Sequence, residues 1–250
     1  MKWQSLLLMP LMLPVIVGAE KLVFTLEKHT DYGEFTAMSM FTLLDNGHYS
    51  FETSTGGFRL CSGAPAGRFH GRLDQAQTET LLEAFNQVEE ACKAIDACSS
   101  SGKRPGSYDY AVLGWGDYSN QAYFISGGTE LPYLFRRVFE LEGELYDEPE
   151  RGLSLEIVDE TADQIRLRAH YVGESPYPFA AGSWAFLLLG AGPARALPDS
   201  IYDPEDVKTL HSGDSTTMTL DKEQSGIEAG DYLVYAPARD LHPCVVVGEP

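Results

Sequence analysis

The stretch ELEGELYDEPERG, residues 140–152, decides how this chain is divided. It holds six acids, one proline and two glycines, and apolar periodicity lapses after Tyr146. Crowded acids, a proline and flexible glycines are linker chemistry. Residues 147–152 are therefore expected to join two domains, spanning 20–146 and 153–250.

Upstream of this seam, strands mix with helices. LVFTLE (22–27) and FTAMSMFTLL (35–44) read as strands, and HYSFET (48–53) runs back from a DNG turn. Asn and Gly accept the positive φ that a tight hairpin turn needs. In LDQAQTETLLEAFNQVEEACKAI (73–95), Asp74 and Gln77 form a D-x-x-Q capping box. Leu81, Leu82, Phe85 and Val88 then make one apolar stripe, as an amphipathic helix requires. A hairpin from YDYAVLGW (108–115) and QAYFIS (121–126) follows, then a second helix, PYLFRRVFEL (132–141). The expected order is βββαββα: an α+β domain with an antiparallel sheet and two helices on one face.

Downstream, no helix is apparent. LSLEI (153–157) and QIRLRAHY (164–171) alternate apolar and polar residues, the mark of half-buried strands. WAFLLLG, TTMTLD and DYLVYAP continue the pattern between Gly-, Pro- and Asp-rich turns. This predicts an all-β immunoglobulin-like sandwich. In GIEAGDYLVY, Gly230 followed by Tyr232 at a strand entrance resembles a tyrosine corner, with the Tyr232 hydroxyl capping a loop. The span from LSLEIVDETADQIRLRAHYVG to GIEAGDYLVY resembles the immunoglobulin-like domains of exported bacterial proteins, including the BsuPI class of proteinase inhibitors. The first half, with LLDNGHYSF, GRLDQAQTETLLEAF and the YDYAVLGWG hairpin, is similar in layout to emfourin-type inhibitors of metalloproteases. Both resemblances rest on pattern, so neither assigns an inhibitory residue, and a shared fold does not carry a shared function.

The amino terminus sets the compartment. Lys2 precedes an apolar run from Leu6 to Val17, and Val17-Gly18-Ala19 supplies small residues for a signal peptidase. Residues 1–19 are expected to be a leader cleaved after Ala19, placing the mature chain in the periplasm or outside the cell, with no membrane contact after cleavage. In an oxidising compartment the four cysteines are expected to form disulfides. Cys92 and Cys98 close a short loop past the first helix, which leaves Cys61 and Cys244 as the second pair. No His lies near Cys92 and Cys98, and their spacing is too wide for a zinc pair, so no metal site is read there.

The formal charge is -19. Nucleic acid and anionic lipid need clustered Lys and Arg, so such a surface repels both. It would attract a basic protein; it would equally keep an exported protein soluble.

No catalytic residue and no cofactor motif can be assigned. HSGDS (211–215) gathers His211, Ser212 and Asp214, but sequence neighbours rarely face one another as a relay, and a loop is the simpler reading. YDPED (202–206) lacks the alternating ligands of a calcium loop. Aromatics in expected loops offer more: Trp115 and Tyr118 in GWGDYSN, and Tyr177 and Phe179 in ESPYPFAAGSW. Such side chains anchor interfaces, although they also fold back onto cores. The resulting expectation is an exported, acidic, non-enzymatic binding protein, with a basic hydrolase or toxin as its inhibited partner. An envelope hydrolase using unlocated carboxylates and a structural accessory module are the alternatives.

Overall fold

In the computed structural model the described residues are 20–31, 36–57, 61–94, 109–115, 120–125, 131–146, 148–190, 194–197, 203–237 and 241–248. Their elements run β1 (Leu22–Asp31), β2 (Thr36–Leu44), β3 (His48–Thr53), β4 (Ala66–Arg72), α1 (Gln75–Ala94), β5 (Asp109–Trp115), β6 (Asn120–Ile125), α2 (Leu131–Glu140), β7 (Glu148–Glu160) and β8 (Gln164–Gly173). Then follow β9 (Tyr177–Ala180), β10 (Phe186–Leu189), β11 (Arg195–Ala196), β12 (Val207–Leu210), β13 (Ser215–Asp221), α3 (Lys222–Ser225), β14 (Tyr232–Tyr235) and β15 (Cys244–Val246).

The expected fold class, an α+β domain followed by a separate immunoglobulin-like sandwich, is corrected. The chain is mostly β, and one nine-stranded antiparallel sheet runs through both halves in the order β13-β8-β7-β4-β3-β2-β1-β5-β6. The join is β4 against β7, paired from Ala66↔Leu153 to His70↔Glu148 with a bulge between Arg68 and Phe69. The residues expected as a linker, from Glu148 on, are therefore the opening of a 13-residue strand. One of their acids, Glu150, is held by bases across the ladder. Glu150 Oε2 lies 2.9 Å from His70 Nε2, and Glu150 Oε1 lies 3.6 Å from Arg68. Gly67 lets the two strands approach, because a Cβ there would run into the Arg151 carbonyl oxygen.

Two cores form on opposite faces of this sheet. Residues that pair across a ladder share a face, and neighbours along a strand alternate. Phe24, Phe41, Phe51 and Phe69 point to the face covered by α1 and α2, where they meet Leu81, Phe85, Leu134 and Val138. Leu153, Leu155, Ile165, Leu167, Met218 and Leu220 point to the other face. There a second layer, β11-β10-β14-β15, supplies Phe186, Leu188, Leu233, Tyr235 and Val245. Strand β4 touches both cores. Ala66 joins the layered core, and Phe69, an odd number of residues on, joins the helix-covered one.

Local chemistry accounts for the elements. At the start of α1, Asp74 Oδ1 accepts from Gln77 N at 2.8 Å and Gln77 Oε1 accepts from Asp74 N at 2.9 Å, a reciprocal cap. The β2–β3 hairpin turns at Asp45-Asn46-Gly47, with Gly47 at φ +81°. In the layered half the backbone-capping hydroxyl belongs to Tyr235. It accepts from Ala180 N at 2.8 Å, and burial pushes its pKa up to about 12. The Tyr232 expected in that role stands three residues earlier, at the entrance of β14.

The Cys61–Cys244 disulfide joins the loop after β3 to β15, with a Cα–Cα distance of 4.9 Å and a sequence separation of 183. Beside it His242 N donates to Ser54 O at 2.5 Å. Hydroxyls hold this loop from below: Ser39 Oγ donates to Gly57 O at 2.5 Å, and Thr53 Oγ1 accepts from Gly57 N at 2.7 Å. The Cys92–Cys98 pairing lies outside the described residues. No helix among the described residues is long and apolar enough to cross a membrane.

Candidate binding groove

The hairpin turn after β2 docks on the first turn of α1. Leu73 N donates to Gly47 O at 3.0 Å, and a Cβ on Gly47 would sit 2.9 Å from Thr78 Oγ1, so glycine is needed for the close approach. The junction leaves a groove of about 670 Å³ lined by Asp45, Asn46, Arg72, Leu73, Asp74, Gln75, Thr78 and Glu79. The lining holds three carboxylates and one guanidinium. Among the described residues each carboxylate is fixed by one donor: Asp45 by Lys21 N at 3.2 Å, Asp74 by Gln77 N, and Glu79 by Gln75 Nε2 at 2.8 Å. A carboxylate has lone pairs beyond those single bonds, so the groove can accept further donors. Gln77 Nε2 also holds Glu144 at 2.5 Å, which extends the acidic rim, and Glu83 and Glu90 stand exposed further along α1.

A second polar constellation crosses the open face of β3, β4 and β7. Glu52 Oε2 accepts from Arg68 Nε at 3.2 Å and from its Nη2 at 3.0 Å, and Arg151 lies 3.9 Å from Glu52. Hydrogen bonding from His70, with the Arg68 and Arg151 charges behind it, holds the Glu150 carboxyl below its usual pKa. Acids and bases satisfy one another here, which suits a clasp between strands.

The sequence-predicted contact residues separate. Phe179 is fully buried and Tyr177 is 9% exposed; both lie on β9, not in a loop. Phe179 stacks on Tyr235 at 4.7 Å, and Tyr177 on Tyr171 at 5.3 Å. As contacts for a partner these two are corrected to core residues. Trp115 ends β5 and packs edge-on against Phe85 at 6.3 Å, half-buried beside the helix-covered core. Tyr118 lies outside the described residues. The HSGDS segment is a turn: His211 N donates to Asp214 Oδ2 at 2.8 Å, and Ser212 Oγ accepts from Gly173 N at 3.2 Å. Asp203 of YDPED accepts from Glu205 N at 2.9 Å and caps a 3-10 turn. Among the described residues no group of three or more His, Cys, Asp or Glu is placed to hold a metal ion.

The groove went unread in the sequence. Asp45 reads as a turn residue and Asp74 as a cap, and both are. What joins them is the docking of one turn on the other. No family model matches the chain, and no curated protein matches it either.

Proposed function

We propose that the protein is an exported, acidic binding protein that acts without catalysis, and that it takes a Lys or Arg side chain of a basic protein partner into the groove at the start of α1. The single observation behind this reading is the groove's lining, three carboxylates against one guanidinium in about 670 Å³. The chain's formal charge of -19 adds long-range attraction for the same partner. The Cys61–Cys244 disulfide supports the compartment, because such bonds persist under oxidising conditions.

The test is calorimetric titration with two defined basic probes, a lysine-only peptide and a c-type lysozyme, at low and high salt. Binding at low salt should weaken as salt rises, since exposed charges are screened beyond about 8–10 Å at physiological ionic strength. Asp45→Asn with Glu79→Gln should weaken it about tenfold, a typical scale for losing two close charge contacts. Glu156→Gln with Asp159→Asn, on a distant sheet face, should leave it unchanged. Equal losses from both pairs would reduce the effect to net charge and remove the groove from the reading.

A further inference from the structure

The turn between β2 and β3 sets Asn46 before Gly47, whereas the other two asparagines of the sequence, Asn86 and Asn120, each precede glutamine. The fold needs glycine at position 47. Its φ is +81°, and a Cβ would sit 2.9 Å from Thr78 Oγ1 and 3.2 Å from Leu73 O. A residue without Cβ also leaves its own main-chain nitrogen sterically open. The Asn46 side chain is clamped at both of its polar atoms. Oδ1 accepts from His48 N at 3.0 Å, and Nδ2 donates to Glu20 Oε1 at 2.7 Å. Gly47 N donates to Leu44 O at 3.0 Å. Beside the clamp, Asp45 N donates to Lys21 O at 2.9 Å, so the chain entering β1 is docked on the turn. Asn46 thus stands between that chain and the groove it lines.

We propose that Asn46 is a site of spontaneous deamidation, held in check by Glu20, and that the modification undocks Glu20 from the turn. The Gly47 nitrogen gives its proton to solvent base and bonds to Asn46 Cγ. The Cγ–Nδ2 bond breaks, and that nitrogen leaves as ammonia with a proton returned by solvent. Water then opens the cyclic imide. Opening at the side-chain carbonyl leaves an aspartate, and opening at the main-chain carbonyl leaves an isoaspartate. The sum is amide and water to acid and ammonia, with no other reactant. The first step needs the Gly47 N to Leu44 O bond broken and the Asn46 side chain free to turn, so it proceeds from a locally opened turn. Glu20 closes that turn by holding Nδ2. Once Nδ2 is replaced by oxygen, a carboxylate stands where Glu20 had its donor, and like charges at that separation repel. The same change adds a fourth carboxylate to the groove, a consequence that rests on the groove reading above.

Peptide mapping by mass spectrometry, over a time course in mildly alkaline buffer, tests this on the purified protein. The peptide holding Asn46 should gain the mass of an amide-to-acid change and contain isoaspartate, ahead of any change at Asn86 or Asn120. Glu20→Ala should speed the reaction about fivefold, the scale of one ordinary hydrogen bond lost from the closed turn. Glu20→Gln keeps an acceptor oxygen and should stay near the parent rate. In denaturant all three proteins should react alike. Asn46→Asp, a stable copy of one product, should raise amide exchange at Asp45, whose N–H bonds Lys21 O in the docked chain. An Asn46 amide that persists in parent and Glu20→Ala alike, equal folded-state rates for these two, aspartate without isoaspartate, or unchanged exchange at Asp45 would each overturn the proposal. None of these readouts uses a ligand, so failure here and failure of the groove reading are separate results.

Discussion

The helix-covered half and the layered half solve one problem on opposite sides of the same sheet. In the first, aromatic residues of β1–β4 meet α1 and α2. In the second, aliphatic residues of β7, β8 and β13 meet a second β layer. A sheet with one covered face normally leaves the other to solvent. Here the covered face changes sides across β4, so each half shows its polar back where the other half buries its core. The difference teaches that the halves are joined by backbone pairing, not by a shared interior. Ala66 and Phe69, three positions apart on β4, belong to different cores.

The sharpest way to break the comparison is to damage one core and watch the other. Phe51→Ala in the helix-covered core and Phe186→Ala in the layered core each remove a fully buried ring. Each should cost about 3–5 kcal/mol. Because β4 and β7 pair within one sheet, calorimetry should show one transition lowered by either variant. Two transitions, each sensitive to its own variant, would mean that the ladder does not couple the cores.

The disulfide should come next. Cys61→Ser with Cys244→Ser opens a covalent loop spanning a separation of 183 residues. A loss of about 2–4 kcal/mol in denaturant titration is expected. The bond ties β15 of the layered half to the loop after β3 of the other half. Amide exchange should therefore rise around Ser54 and His242, whose backbones are bonded beside it.

How these pieces could be read from sequence differs with their range. The capping box at Asp74 and Gln77 and the hairpin at Asn46-Gly47 are local, and residue types specify them. The β4–β7 pairing is not local. Its acids, Glu148 and Glu150, read as linker because repulsion is their property in isolation. Arg68 and His70, far upstream, supply the bases that hold Glu150 in a strand. YPFA reads as loop because of Pro178, yet it forms β9, where Phe179 and Tyr177 face the core beside Tyr235. The candidate groove is illegible for the same reason as the ladder. It is made by docking two turns, each of which has a sufficient local explanation.

Smaller effects sharpen the contrast within the layered half. Tyr235→Phe keeps the ring against Phe179 and Phe186 but leaves the buried Ala180 N–H without its acceptor. Stranding a buried donor should cost about 1–3 kcal/mol. Tyr49→Phe, in the other half, removes a donor to Glu144 O at 3.1 Å in a part-buried setting. That carbonyl can turn to water, so the loss should be smaller, and chemical denaturation of the two variants compares them directly.

The smallest effect is ionic and depends on pH. Glu160 ends β7 and accepts from Lys222 Nζ at 2.7 Å and from Gly248 N at 3.2 Å, tying the strand to α3 and to the turn after β15. Hydrogen bonding from Lys222, reinforced by Gly248 N–H and by the Lys222 charge, holds this carboxyl below its ordinary pKa. A carboxyl with a lower pKa in the folded state binds fewer protons there than in the unfolded chain. Its contribution is therefore present above the unfolded carboxyl range, and is lost as pH falls through the folded value. Glu160→Gln should melt slightly below the parent at neutral pH, by no more than about 1 kcal/mol for a pair near the surface. The two melting curves should converge in acid, where both side chains are neutral. A gap that stays constant from neutral to acid pH would show that Glu160 acts through hydrogen bonding that glutamine cannot reproduce, and not through its charge.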